Sequence, residues 1–212
     1  FDSLAIGMSP FLMNLAACFI VIIINQGLKK YGGDLAIGAF GIVNRLVFIV
    51  VMIVMGLNQG MQPIAGYNFG AKLYGRVNKV LRLTIIYATV VTTFGFLVGM
   101  LVPDLVVGIF TSDAELTELS VTGLRITVMF FPIIGFQMVT SNFFQSIGMA
   151  GKAIFLSLTR QMLILLPCLL VLPQFFGVAG VWYSMPVSDL LASLIALVML
   201  VCQFRKFRTS PL

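Results

Sequence analysis

The sequence predicts an all-α, polytopic membrane protein with six transmembrane helices. Of its 212 residues, 60% are hydrophobic and only 9% are charged, and the mean hydropathy is +1.10. Soluble domains carry roughly 25% charged residues, so this composition indicates that a lipid bilayer surrounds most of the chain. Six separate segments also approach or exceed the ~20 mostly apolar residues that a spanning helix needs.

The first half of the chain contains three of these segments. Residues 7–28 are mostly apolar and end at KKYGGD, whose Lys and Gly residues are typical of a turn. Residues 35–61 contain the run LVFIVVMIVM and end where glycines and side-chain amides accumulate. Residues 78–102 follow a basic loop and end before the proline and carboxylates of PDLVVGIFTSDAELTE. We therefore predict one spanning helix in each segment.

The second half contains the other three. Residues 120–147 include Pro132, which removes a backbone hydrogen bond and predicts a kink in this helix. Residues 153–172 lie between the connections GMAGK and PQFFG. Residues 178–202 form the last predicted span and end at the basic segment QFRKFRTSPL.

The positive charges predict the orientation of these spans, because cytoplasmic loops carry an excess of Lys and Arg. With the first residue inside, the outer connections hold only Lys29 and Lys30. We therefore place both ends of the segment in the cytoplasm, with residues 1–204 as one six-helix transmembrane lobe and residues 205–212 as a basic cytoplasmic tail. The net charge of +6 follows this topology and does not indicate nucleic-acid binding. The inner connections and the tail hold Lys72, Arg76, Lys79, Arg82, Lys152, Arg205, Lys206 and Arg208.

This chain lacks the residues that several kinds of catalytic chemistry require. There is no His, which excludes His-based metal sites and catalytic triads. The cysteines Cys18, Cys168 and Cys202 all lie in apolar stretches, where we expect reduced, buried thiols. An enzyme also needs convergent nucleophiles, acids or ligands. We therefore predict no catalytic residue, no metal site and no cofactor, and we do not expect an enzyme.

Polar side chains within the predicted spans are candidates for lining a water-accessible cavity, because hydrocarbon penalises polar groups that face lipid. Gln137 and Ser141 share a helix face and follow the predicted kink at Pro132. The alternative for each polar residue is an interhelical hydrogen bond, worth only ~0.6 kcal/mol. For Met and Phe the alternative is ordinary core packing. The full set of candidates is Asn14, Cys18, Asn44, Met129, Phe130, Phe136, Gln137 and Ser141.

Asp189 is the most informative charged residue, since it lies about midway along the last span. An intramembrane carboxylate marks a functional site by default. Arg45 is predicted at a similar depth, and Arg160 enters from the inner side and is a second potential partner. Two interpretations stay open: a structural ion pair, or coupling of a proton or cation through Asp189.

The segment GLNQGMQPIAGYNFGAK, residues 56–72, interrupts the apolar pattern at the inner end of the second span. Gly56 and Gly60 have the small-xxx-small spacing that permits close helix approach. Pro63 breaks the hydrogen-bond ladder, Gly66 loosens the exit, and Gln62 is available to satisfy freed backbone groups. We predict a packing and gating hinge here, with a second kink at Pro132.

The same segment resembles the multidrug and toxic compound extrusion (MATE) transporters, through the pattern G-x-x-Q-G-x-Q-P-I-x-G-Y-N-x-G-A. Here the pattern consists of Gly56, Gln59, Gly60, Gln62, Pro63, Ile64, Gly66, Tyr67, Asn68, Gly70 and Ala71. Further along, PIIGFQMVTSNFFQSIGMAGKA, LTRQMLILLPCLLVLP and GVAGVWYSMPVSDLLASL resemble the tenth, eleventh and twelfth helices of this family. The resemblance covers nearly the whole chain.

The resemblance implies the C-terminal lobe, helices seven to twelve, of a twelve-helix transporter. It implies export of small cationic, amphipathic compounds by antiport against H⁺ or Na⁺, through alternating access between two lobes. The expected partners are the lipid bilayer of a plasma membrane, such as a bacterial inner membrane, and an N-terminal lobe of the same polypeptide. The chain begins at Phe1 without a Met, which also suggests a piece of a longer protein. The alternative is a lipid-linked oligosaccharide flippase or another exporter of the same superfamily.

The sequence departs from the family at two positions. In one branch of the family, acidic residues in helices seven and ten couple the cation. The matching positions here are Cys18 and either Phe136 or Gln137, none of which is acidic. The resemblance is therefore closer to the branch whose coupling Asp lies in the first helix, outside this chain.

Overall fold

The chain folds into a bundle of long helices in a computed structural model, which describes the backbone of residues 2–209 and the side chains of residues 11 and 14–204. The described part contains helices and no strand. The predicted tail at 205–212 lies outside the described side chains. The helices are α1 Asp2–Gly70, α2 Tyr74–Leu101, α3 Pro103–Gly108, α4 Ala114–Val128, α5 Phe131–Ser146, α6 Ala150–Leu158, α7 Leu166–Phe176 and α8 Val178–Thr209, with a π-helix at Thr159–Leu165 between α6 and α7.

Helix α1 consists of two arms that meet at Gly33. This glycine has φ 68° and ψ −162°, a backbone conformation that interrupts the helix and that side-chain-bearing residues rarely adopt. The apolar part of α1, Asn14–Gly70, contains 57 residues. At 1.5 Å per residue it is roughly 85 Å long, nearly three times the ~30 Å hydrocarbon core of a bilayer. The two arms therefore correspond to the first two predicted spans.

The other predicted spans also match helices. Four helical stretches of the described chain are long and apolar enough to cross a membrane: Asn14–Gly70, Tyr74–Leu101, Ala150–Phe176 and Val178–Phe204. A fifth forms if the bent pair α4 and α5 counts as one span. Because the first stretch contains both arms of α1, these segments account for all six spans that the sequence predicts.

The predicted kink at Pro132 is present. Helices α4 and α5 are bent by 56° relative to each other, at a break between Val128 and Phe131. Pro132 lies in the first turn of α5, where its missing N–H costs no helical hydrogen bond. The proline thus starts a new helix instead of distorting a continuous one.

Helix α1 runs further than predicted. It continues through Pro63 to Gly70, whereas the sequence places the end of the second span near residue 61. The only non-helical backbone inside the described part of α1 is at Gly33. In a membrane helix the carbonyl that a proline leaves free can be satisfied locally. Pro63 therefore does not end the helix, although it has no N–H to contribute to the hydrogen-bond ladder, and the hinge expected at this position stays a prediction.

Two clusters of buried side chains hold the bundle together. One contains Leu28, Val43 and Trp182, and the other contains Leu81 and Phe143. Helix α5 lies at the centre, where it packs against α1, α2, α6 and α8. The exterior is covered with exposed Leu, Ile, Val and Phe side chains. Such a surface fits a lipid environment, since soluble monomers rarely expose large apolar patches.

Candidate functional site

The charged centre of the bundle is an ion pair between Arg160 and Asp189. The Nε of Arg160 donates to Oδ1 of Asp189 over 2.7 Å. Arg160 lies in the π-helix and Asp189 in α8, so the pair joins two predicted spans. It is the one salt bridge among the side chains that the structure describes. Structural pairing with Arg160, one of the two partners that the sequence left open, is therefore present.

The two partners differ in exposure. Asp189 is 6% exposed, whereas 32% of the Arg160 side chain is accessible. The carboxylate is thus enclosed and depends on its partner, because an unpaired charge is costly in a low-dielectric interior. The Arg160 side chain also lines an adjacent cavity. π-Helical turns like the one that carries Arg160 are frequent at functional sites.

A cavity of about 400 Å³ opens beside this ion pair. Both arms of α1, together with α4, α5, the π-helix and α8, contribute side chains to its wall. The wall is mainly apolar and includes Phe40, Phe48, Phe131, Met138 and Met185. We call this space the lobe cavity. A mainly apolar pocket with a few convergent polar groups is the usual form of a small-molecule site.

Most polar groups of the lobe cavity already have partners. The hydroxyl of Thr127 donates to the Gly123 carbonyl over 2.8 Å, and that of Ser188 donates to the Met185 carbonyl over 2.8 Å. The polar side chains of the wall that a ligand would meet are therefore Asn44, Arg160 and Asp189. The sequence identified all three as candidates, whereas the Met and Phe residues that it named, Met129, Phe130 and Phe136, are not those of the wall.

The predicted cavity candidates lie in different places. Asn44 lines the lobe cavity. Asn14 and Cys18 are exposed on the exterior of the lobe, while Ala17 and Val21 of the same arm face the cavity. A cavity-lining role for Asn14 and Cys18 thus requires a second lobe, and it stays a prediction.

The candidates around the α4–α5 bend do not line the lobe cavity, whereas residues close to them in sequence do. Phe131, Ile134 and Met138 face the lobe cavity, and the predicted Met129, Phe130, Phe136, Gln137 and Ser141 do not line it. Ser141 instead lies 3.3 Å from Ser157, hydroxyl to hydroxyl, which joins α5 to α6. This contact is the interhelical hydrogen bond that the sequence offered as an alternative. Gln137 is also buried, on the same helix face.

Arg45 does not pair with Asp189. Its side chain is exposed, and the described residues contain no ion pair that involves it. Asn44, its neighbour in sequence, faces the cavity instead. Successive residues of a helix point about 100° apart, and Arg45 lies on the side of α1 that turns away from the wall formed by Asn44 and Phe48.

The predicted glycine pair does not bring helices together within this lobe. A Cβ at Gly56 or Gly60 would meet no atom within 4 Å. The expected close approach at these two positions is therefore absent from the described residues. It occurs at Gly135 instead, where a Cβ would lie 2.9 Å from the Ala88 carbonyl oxygen of α2. Of the three predicted hinge glycines, Gly66 alone is closely packed: a Cβ there would lie 3.0 Å from the Ser146 carbonyl oxygen. Gln62 is partly buried.

Comparison with known proteins identifies the family. The MatE family model matches residues 9–170, well over half of the chain. The chain belongs to the MatE family. This assignment confirms the resemblance that the glycine-rich segment and the last three helices carry.

Individual members of the family show how much of a transporter is present. Over 192 residues the chain is 29% identical to the multidrug export protein MepA of Staphylococcus aureus, a match that covers 91% of this chain and 42% of MepA. The solved structure of the MATE multidrug transporter DinF-BH is 36% identical with a TM-score of 0.84, and the match covers 97% of this chain and 46% of that one. The Vibrio cholerae MATE transporter VcmN has the same fold, with a TM-score of 0.88 at 20% identity over 95% of this chain and 46% of that one. The chain thus spans about half the length of the relatives it matches.

Proposed function

We propose that this MatE chain is half of a secondary active efflux antiporter for multiple drugs and organic cations, driven by H⁺ or Na⁺. The observation that carries the proposal is the buried carboxylate of Asp189 on an apolar, aromatic cavity inside a membrane lobe. MepA and DinF-BH, which are named as multidrug proteins, are similar to nearly the whole chain.

The lobe cavity has the chemistry that a flat, greasy cation requires. Phe40, Phe48 and Phe131 offer aromatic faces, which attract cations through the ring quadrupole. Met138 and Met185 have flexible, polarisable side chains that adapt to ligands of different shape. A cavity of this kind holds several related ligands without a fixed set of hydrogen bonds.

The ion pair between Arg160 and Asp189 limits how strongly Asp189 attracts a cation. A cation gains little from Asp189 while Arg160 neutralises that carboxylate. We propose that the partly exposed Arg160 side chain moves away when the substrate cation, H⁺ or Na⁺ reaches Asp189. Competition for one carboxylate then gives the exchange that an antiporter needs, and coupling through Asp189 is the sharper of the two interpretations that the sequence left open. The alternative is the coupling Asp outside this chain that the family resemblance implies.

Alternating access requires a second lobe. Transporter sites of this type lie near the bilayer midplane between two structural repeats. We propose that the missing half of the polypeptide, an N-terminal lobe of six helices, covers the exposed face with Asn14 and Cys18. The bilayer is then a plasma membrane, such as a bacterial inner membrane, with both ends of this segment in the cytoplasm.

The flippase alternative finds less support in the cavity. A lipid-linked pyrophosphate needs several cationic groups, whereas the described wall of the lobe cavity contains Arg160 as its single cation, in a pair with Asp189. Export of cations is therefore the function that the arrangement favours.

The test is efflux of ethidium by the full-length gene product in a host that lacks its own exporters. We expect efflux to stop when a protonophore is added, or when Na⁺ is removed, depending on the coupling ion. Absence of efflux for every cationic dye tested, with the protein present in the membrane, contradicts the proposal.

A further inference from the structure

A second groove lies between α2 and α8, away from the lobe cavity. It has a volume of about 570 Å³, and its wall consists of Leu81, Ile85, Ile86, Val201 and Phe204 together with Asn78 and Arg82. Both helices pack on α5, which separates them and leaves this space between them. We call it the inner groove. It is open to the exterior of the bundle, where lipid is the expected neighbour.

The inner groove has one polar end and one apolar end. Asn78, Arg82 and Ile86 follow each other at intervals of four residues, so they lie along one face of α2. A second cavity, about 510 Å³ in volume, shares these three residues and adds Lys79. Over about 12 Å along the helix, the wall changes from amide and cationic groups to aliphatic ones. A phospholipid has the same arrangement, because its charged headgroup is followed by hydrocarbon chains.

The cationic end of the groove has no counter-charge within the described part of the lobe. Arg82 and Lys79 are exposed and form no ion pair or hydrogen bond with a described residue. Helix α2 has 28 residues, about 42 Å, and the acidic connection at residues 104–118 follows its opposite end. The N-terminus of α2 at Tyr74 adds the positive end of a helix dipole on the side of Lys79 and Arg82.

We propose that the inner groove binds one anionic phospholipid, with its phosphate at Arg82 and Lys79 and an acyl chain along Ile85, Ile86 and Val201. Charge complementarity selects the occupant. A cationic rim that lacks carboxylates favours an anionic headgroup, and an apolar floor favours a lipid over a free anion. With the orientation proposed above, this lipid belongs to the inner leaflet, where basic segments next to a membrane helix attract anionic lipids.

The direct test uses the unmodified, full-length gene product and a phosphatidylglycerol analogue with a photoactivatable group in its acyl chain. After irradiation, we expect labelled peptides that contain Ile85 and Ile86, or Val201 and Phe204. Excess unlabelled phosphatidylglycerol suppresses the labelling, and phosphatidylcholine does not. Labelling that is absent from these peptides, or that both lipids suppress equally, overturns the proposal.

A second test compares variants in nanodiscs or by native mass spectrometry. Arg82→Gln should weaken phosphatidylglycerol binding about fivefold, the effect of one cation near an anionic surface. Lys29→Gln, which removes an exposed cation near the Gly33 break, is the matched control and should not change it. Equal effects of the two variants contradict a site at Arg82.

A third variant distinguishes a lipid from a free phosphate. Val201 is exposed in the apolar wall of the groove, so Val201→Trp narrows the space for an acyl chain without disturbing the core. We expect this variant to lose phosphatidylglycerol binding. If it binds phosphatidylglycerol as the unmodified protein does, and inorganic phosphate competes fully with the lipid, the site recognises only the anion and the lipid assignment is wrong.

Discussion

The guanidinium of Arg160 lies 2.7 Å from the carboxylate of Asp189, measured from Nε to Oδ1. This contact links the π-helix between α6 and α7 to the middle of α8. It also lies on the wall of the lobe cavity. The residues that join these two helices therefore also line the lobe cavity.

The stability of the pair is testable with a double-mutant cycle. We expect Arg160→Gln to lower the free energy of unfolding by about 2 kcal/mol, because it leaves an unpaired carboxylate in a buried place. The figure is below the ~3–5 kcal/mol typical of fully buried pairs, since about one third of the Arg160 side chain is accessible. Arg160→Gln combined with Asp189→Asn should recover much of the loss. Thermal unfolding in detergent gives the four values, and strictly additive effects contradict a direct interaction.

Coupling through Asp189 makes a separate prediction about transport. Asp189→Asn removes the charge and retains the shape, so we expect dye efflux to lose its dependence on the ion gradient. Efflux is measured with and without a protonophore at equal protein levels in the membrane. If the variant still transports actively, Asp189 has only its structural role with Arg160.

The lobe cavity predicts where bulk interferes with substrate binding. Ala17 faces the cavity, and Leu15, on the same helix, is exposed on the exterior. Ala17→Trp should therefore raise the Kd for ethidium about tenfold, a change of ~1.4 kcal/mol. Leu15→Trp is the matched control and should leave it unchanged. A similar loss of affinity in both variants indicates a general effect on folding instead of a blocked cavity.

The glycines predict a contrast between two positions. Gly135→Ala places a methyl group 2.9 Å from the backbone of Ala88, and we expect a loss of about 1–3 kcal/mol in unfolding free energy from overpacking. Gly60→Ala meets no atom within 4 Å and should keep or slightly increase stability. Thermal unfolding compares the two.

Gly60 lies on the exterior of the lobe, so a role in contact with the other lobe can be tested. If the other lobe packs on this face, Gly60→Leu impairs transport more than it changes dye affinity. A loss of affinity alone contradicts a role for Gly60 in conformational exchange.

Asn58 predicts a stabilising substitution. This side chain is 2% exposed, and neither its amide nitrogen nor its oxygen has a hydrogen-bond partner among the described residues. A buried polar group without a partner costs about 1–3 kcal/mol. Asn58→Leu should therefore raise the melting temperature. A lower melting temperature instead indicates that Asn58 binds buried water or that the site has no room for Leu.

Individual residues show why part of the site was predictable. Asp189 stands out because a carboxylate within an apolar span has few explanations, and Pro132 because proline often begins or bends a helix. The spacing of Gly56 and Gly60 permits a close contact but does not supply the neighbour, which the described residues of this lobe do not provide. The polar stripe with Asn14 and Cys18 likewise shows one face of a helix and not what that face contacts, so the role of these two residues stays a prediction.

The sequence by itself determined the class of protein and the family. These properties depend on local composition: long apolar segments, the breaks between them, and the motif around Gln62 and Pro63. The tertiary structure alone decided that Asp189 pairs with Arg160 and not with Arg45, and that Asn44 rather than Cys18 faces the lobe cavity. The reason is physical, since such contacts depend on how each helix is rotated against its neighbours. The 3.6-residue period defines the faces of a helix, and only packing in three dimensions decides which face meets which partner.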